Sequence, residues 1–156
     1  MLDQADDLRR KAASRSGPCL DFQEHLAALD ALGLVQRIDT PVNKDTELHP
    51  LVRWQFVGGV PEDKRRAFVF TNVTDAKGRK YDIPVVVGAL AASPDVYAAG
   101  MGCKVEDIGE AWMNAIANPI APIVVDAAPC QDVGITGDGL KAPGGLAALP
   151  VPVSTP

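Results

Sequence analysis

A basic surface, a membrane-length apolar run, a cysteine pair and a workable set of histidines are all missing from this chain, and each absence removes a class of function. Fifteen Lys and Arg face twenty Asp and Glu, for a net charge of −5. Phosphate binding needs a basic face, so nucleic acid is not the expected partner. No apolar run approaches the length of a membrane span. The opening MLDQADDLRRKAASRSG lacks the apolar centre of a secretory signal and reads as a mobile arm, or a helix that docks on a partner. Cys19, Cys103 and Cys130 are odd in number and include no CxxC pair. That spacing fits reduced thiols in a cytoplasmic protein, not a disulfide or zinc framework. The sequon Asn72-Val73-Thr74 has no secretory context and is read as chance. No internal repeat is visible.

What is present suits a folded, layered protein. Hydrophobic residues make up 47% and charged residues 22% of 156 positions, enough for one domain, or for one domain and the opening of another. Asp21-Phe22-Gln23-Glu24 reads as a capping-box helix start, with Phe22, Leu26, Leu29 and Leu32 on one face and Gly33 as the stop. Leu34 to Ile38 follows as a strand. Residues Asp45 to Val57 form a second expected helix, with Pro50 near its start and Gly58-Gly59 ending it. Ala67 to Val73 is β-rich, Lys77-Gly78 supplies a turn, and Ile83 to Val87 is another strand. Its Pro84-Val85-Val86-Val87 run has no polar alternation, which implies cover on both faces.

Ser93-Pro94-Asp95 carries a capping hydroxyl, a proline at the first helical position and an acid at the positive end of the dipole. That helix stops around Gly100 to Gly102. A longer one follows, with Val105, Ile108, Trp112, Ala115 and Ile116 on one stripe and Asn118-Pro119 as its end. Interleaved helices and strands over residues 20 to 125 imply a mixed α/β fold.

The residues able to do chemistry form no constellation. His25 and His49 are the only histidines. His25 reads as a surface or half-buried helix residue; His49, before Pro50, is placed to cap the second helix. Neither has a second ligand at metal spacing. Glu106, Asp107 and Glu110 suit a helix start better than a catalytic pair. Cys130 is a candidate nucleophile, but no histidine lies near it in sequence to serve as base. Gly137-Asp138-Gly139 and Gly144-Gly145 lack the order of a phosphate loop and read as turns.

From Asn118 the chain becomes rich in proline and glycine, and only Asp126, Asp132, Asp138 and Lys141 carry charge. Ile123-Val124-Val125 and Val133-Gly134-Ile135 read as short strands with nothing to close a core around them. Such a segment should be disordered, pack on the α/β layer, or pair with another chain.

Taken in order, Asp21-Phe22-Gln23-Glu24-His25-Leu26, Leu34 to Ile38, Asn72-Val73, Pro84 to Gly88, Ala128-Pro129-Cys130-Gln131-Asp132-Val133, Gly137-Asp138 and Leu149 to Pro156 resemble the N-terminal region of the UbiD-type decarboxylases. These are prenylated-FMN-dependent carboxy-lyases acting on aromatic or α,β-unsaturated acids. The resemblance spans roughly residues 20 to 156, and the APCQDV…GD…LPVPVSTP series is its distinctive part. Residues 1–19, before it, keep their reading as a mobile arm; the resemblance implies an N-terminal α/β domain over 20–119, and over 120–156 the first strands of an incomplete split β-barrel flavin domain.

The same resemblance implies a modified flavin that engages the substrate covalently. It also implies an arginine and paired glutamates for the carboxylate and proton, and Asn, His and Glu ligands for a divalent metal, manganese, with potassium as an optional second ion. In the family pattern these motifs follow the LPxPxSTP segment. No residue here is matched to them, so the expected catalytic, cofactor-binding and metal residues are none. The chain alone is expected to be inactive and to bind no cofactor. Its expected partners are flavin-binding and C-terminal domains, on the same or a separate chain. The complete protein is expected to be cytoplasmic and homo-oligomeric. Two other readings stay open: a non-catalytic assembly subunit of a split decarboxylase, and a small thiol enzyme built on Cys130.

Overall fold

Asp21 starts the first helix as the sequence suggests. In the computed structural model, which describes residues 19–153, its carboxylate accepts from the Glu24 amide at 2.8 Å. Glu24 reaches back one residue further than a capping box requires, to the Leu20 amide at 2.9 Å. Helix α1 then runs Phe22–Ala31. Gly33, at φ 69°, closes it: Leu34 donates to Leu29 at 2.8 Å and Gly33 to Asp30 at 3.1 Å, a pairing that a left-handed residue makes possible. The expected arm lies, apart from Cys19, outside the described residues, as do the last three residues of the LPVPVSTP segment.

The strands are β1 Val35–Ile38, β2 Val42–Asn43, β3 Ala67–Phe70, β4 Val73–Thr74, β5 Lys80–Tyr81 and β6 Val85–Val87. They form two three-stranded sheets, β1-β3-β6 and β2-β4-β5. In each, the first pair is parallel (Val35 opposite Ala67; Val42 opposite Val73) and the second antiparallel (Phe68 opposite Val87; Val73 opposite Tyr81). Each strand of one sheet continues within a few residues into a strand of the other, so the two sheets are halves of one broken ribbon. Pro41 and Pro84 sit at the break, where a missing amide hydrogen interrupts a ladder. Hydrogen bonds cross it: Thr71 donates to the Ile38 carbonyl at 3.1 Å and Val42 to Asn72 at 3.0 Å.

The ribbon is covered on both faces, as the unbroken valine run implied. Side chains alternate along β3, so Ala67 joins Leu29, Leu34, Ala89, Ala92 and Val96. Phe70 joins Val42, Leu48, Val52, Val73 and Tyr81. The first cluster is supplied by α1 and α3 (Pro94–Met101), the second by α2 (Leu48–Val57). Mixed α/β layering is therefore the architecture. Helix α3 begins as read: Val96 donates to the Ser93 hydroxyl at 3.3 Å, and Gly102 at φ 67° ends it.

Three expectations need correction, and one stripe that forms as read stays uncovered. Helix α2 starts at Leu48, not Asp45, because Asp45 is used elsewhere: its carboxylate accepts from the Ala76 amide at 3.0 Å across the β4–β5 loop. His49 does not cap α2; Glu47 holds that position, and His49 lies half-buried in the first turn. The stripe on α4 (Ile108–Ala117) forms but is not buried: Trp112 is 48% and Ile116 67% exposed. Finally, Ile123-Val124-Val125 and Val133-Gly134-Ile135 form no strand. A strand needs a lateral partner for its amides, and the described residues from 120 on hold only 3₁₀ turns, at Pro129–Gln131, Gly137–Lys141 and Leu146–Ala148. This segment nonetheless returns to the body: Pro150 is buried, and the Val153 amide donates to the Lys44 carbonyl at 3.2 Å, beside edge strand β2. No described helix is long and apolar enough to cross a membrane.

One polar contact ties α2 to the central strand. The buried Gln55 side chain donates to the Arg66 carbonyl at 3.1 Å and accepts from the Arg66 amide at 2.9 Å. Replacing it removes both partners of a backbone group at the start of β3. Gln55→Leu is expected to cost about 1–3 kcal/mol in urea unfolding. Leu90→Ala, at a residue 69% exposed, should stay within about 0.5 kcal/mol.

Candidate functional site

Two places on the body have unusual chemistry: a histidine groove and a charged turn. His25 is buried, at 6% exposure, where α1 crosses α3. Its Nε2 lies 2.5 Å from the Ala89 carbonyl oxygen. A carbonyl only accepts, so Nε2 carries the proton and Nδ1 is left as an acceptor. Nδ1 is buried and has no hydrogen-bond partner. The ring fits because position 100 is glycine: a Cβ there would lie 3.0 Å from Cε1 and 3.4 Å from Nδ1. A shallow groove of ≈ 430 Å³ opens beside it, walled by Cys19, Phe22, Leu90, Tyr97 and Met101. His25 thus fastens α1 to the β6–α3 loop, deeper than a helix histidine read from sequence suggests. Its side chain makes a core contact, and a spacing argument has no means of finding the groove.

The charged turn joins β4 to β5. Asp75 accepts from the Lys77 and Arg79 amides, each at 2.9 Å, and from the Tyr81 hydroxyl at 3.2 Å. Those backbone donors, Arg79 first, hold its carboxyl below the usual 3.8. The Ala76 amide, with help from Lys44, does the same for Asp45. The Lys44 ammonium and the Arg79 guanidinium lie 5.8 and 4.9 Å from the Tyr81 ring centroid. This network closes a hairpin and holds no aligned nucleophile or acid–base pair.

The other candidates are dispersed. His25 on α1 and His49 on α2 belong to helices on opposite faces of the ribbon. Cys130 is exposed in the turn Pro129–Gln131, and Cys19 and Cys103 are half-buried. Glu106, Asp107 and Glu110 are exposed at the start of α4, with Glu106 3.9 Å from Lys104. Gly137–Lys141 is a 3₁₀ turn, and Gly145 packs against the backbone carbonyls of Gly139 and Leu140, where a Cβ would collide. That glycine meets a packing need and cradles no phosphate. Among the described residues, no three His, Cys, Asp or Glu side chains gather in a group able to hold a metal ion. The described residues therefore do not fit the metal implied by the resemblance.

The remaining feature is an uncovered apolar surface. Helix α4 buries no residue, although it rests on α3 through the Trp112 indole, which donates to the Tyr97 hydroxyl at 2.7 Å. Met113 is 68% exposed, and beyond the helix Ile120, Ile123 and Val124 are exposed at 95, 88 and 92%. Single exposed hydrophobes are ordinary, but a run of them along one segment marks a surface that meets something else.

A family model described as the 3-octaprenyl-4-hydroxybenzoate carboxy-lyase N-terminal domain matches residues 26–116. The match runs from the middle of α1 to the last turn of α4 and covers more than half of the chain. The chain belongs to that family, as the N-terminal region of a UbiD-type decarboxylase. No solved structure matches it.

Two glycines give opposite expectations. Gly100→Ala presses on the His25 ring and should lower stability by about 1–3 kcal/mol. Gly109→Ala, in α4 with open space around the new methyl, should raise it by about 0.5–1 kcal/mol. Urea titration of both variants checks the signs. Because the Asp45 and Asp75 pKa values are lowered by folding, their contribution is complete above the ordinary 3.8 and is lost as pH falls below it. Asp75→Asn is accordingly expected to flatten the acid limb of the stability–pH curve while lowering stability at pH 7.

Proposed function

We propose that this chain is the N-terminal scaffold of a carboxy-lyase that removes CO₂ non-oxidatively from aromatic or α,β-unsaturated carboxylic acids with prenylated FMN. The observation that carries the reading is the family match over residues 26–116, the span that builds the ribbon and the helices on both of its faces. The family's chemistry supplies the rest. When bound, the flavin provides the electron sink for loss of CO₂, and a divalent metal, manganese, with potassium as a second ion, secures its phosphate. These groups are held by flavin-binding and C-terminal domains, not by the residues described above, and no step of the reaction is assigned to this chain.

The chain's part is mechanical. Its α/β body is packed on both faces of the ribbon, and its apolar α4 face is turned outward, toward the domain that carries the flavin. Packing there fixes the barrel's position and keeps water from its near wall. The complete enzyme acts in the cytoplasm as a homo-oligomer. A second reading, a separate assembly subunit of a split decarboxylase, is favoured by the same uncovered α4 face, which suits a partner on another polypeptide equally well.

The test is direct. Supplied with prenylated FMN, Mn²⁺ and an aromatic or cinnamic-type acid, the purified chain should release CO₂ no faster than a protein-free blank. Release above that blank overturns the scaffold assignment. Sequencing the coding DNA beyond Pro156 then separates the two arrangements. An in-frame continuation with an arginine and paired glutamates indicates one polypeptide; a stop followed by a second reading frame indicates a split complex.

A further inference from the structure

We infer that the outward face of α4 docks on a protein surface with an apolar centre and a rim of lysine and arginine. The inference stands on the surface itself and holds whatever reaction the complete protein performs. Three observations carry it.

First, the face is shaped before it is met. The indole of Trp112 is fixed by its bond to Tyr97, and Met113 and Ile116 stand beside it at 68 and 67% exposure. Large apolar side chains already held in place are the anchors that dominate protein interfaces, since little freedom is lost when they are covered.

Second, the charge carried by the stretch of chain that contains that face has one sign. From Val105 to Leu140 there is no Lys, Arg or His, while Glu106, Asp107, Glu110, Asp126, Asp132 and Asp138 are all acidic. Among the described residues, the ion pairs that touch this stretch are at its two ends, Lys104–Glu106 at 3.9 Å and Lys141–Asp138 at 4.0 Å. Glu110 lies in the first turn of α4 and Asp107 just before it, so acids border the apolar patch directly.

Third, that charge selects the occupant. A second copy would set the same acids against themselves, which disfavours a symmetric dimer through this face. Anionic lipid would be repelled for the same reason. A partner with basic residues around an apolar patch gains at both the centre and the rim.

The experiment uses the full chain and two synthetic amphipathic helical peptides, one of leucine and lysine, the other of leucine and glutamate. Fluorescence anisotropy of labelled peptide reports binding. The leucine–lysine peptide is expected to bind at least about tenfold more tightly than its counterpart. Ile116→Asp should weaken that binding by at least about tenfold, with circular dichroism unchanged because the site is on the surface. Neutralising Glu106, Asp107 and Glu110 together (E106Q/D107N/E110Q) should remove the preference, whereas D82N, at an exposed acid between β5 and β6, should leave it intact. Equal binding of both peptides overturns the inference. So does loss of preference in D82N, preferential binding of phosphatidylglycerol vesicles, or a dimer in sedimentation that Ile116→Asp dissociates.

Discussion

A three-stranded ribbon cannot bury itself, and that constraint organises the molecule. The ribbon has two faces and only one central strand. Residues of that strand must therefore serve two cores at once, Ala67 toward one side and Phe70 toward the other. Each face then needs its own helical cover, because an uncovered ribbon leaves both valines and edge amides in water. Helices α1 and α3 answer one side and α2 the other. The polar ties follow from this division of labour. His25 holds the first layer through Ala89, and Gln55 holds the second through Arg66. Each is buried, and each joins a helix to a loop or strand end that hydrophobic contact alone would leave free to slide.

Features written in a few adjacent residues were legible in advance. Asp21 and Ser93 announce their helices because a cap is a local hydrogen bond. Gly33 and Gly102 announce the ends because few other residues tolerate positive φ. The valine run before Gly88 announces a doubly covered strand. Features that depend on distant residues were not legible. The Asp45 carboxylate bonds an amide 31 positions away, so the start of α2 shifts. Strand β5 is only Lys80–Tyr81, too short and too polar to show a period. The burial of His25 depends on glycine at position 100 in another helix. The α4 stripe was correctly read as a stripe, but periodicity reports which residues share a face and says nothing about whether that face is covered. The same limit applies to 123–125 and 133–135, whose β-type composition finds no neighbour to pair with.

The contrast between the two halves of the chain bears on the proposed function. Residues 26–116, which match the carboxy-lyase N-terminal family, bury two cores of their own and leave apolar side chains uncovered along α4 and on the outer face of α2, where Trp54 is 66% exposed. Residues 120–153 satisfy almost none: Val133 is 79% and Val151 64% exposed. A segment with this much apolar surface and this little secondary structure is what the docking proposed above would cover, in keeping with the proposed scaffold role.

The bond between the Val153 amide and the Lys44 carbonyl changes the character of that second half. Because it is pinned at α4 on one side and at the edge of β2 on the other, it is a strap and not a tail. Closing such a strap restricts its excursions in advance, and the restriction grows only logarithmically with length. Its isoleucines and valines are therefore held exposed on one restricted segment. Pulling on one end of the strap is felt at the margin of the sheet, so seating a partner on it would brace the ribbon as well as cover the strap.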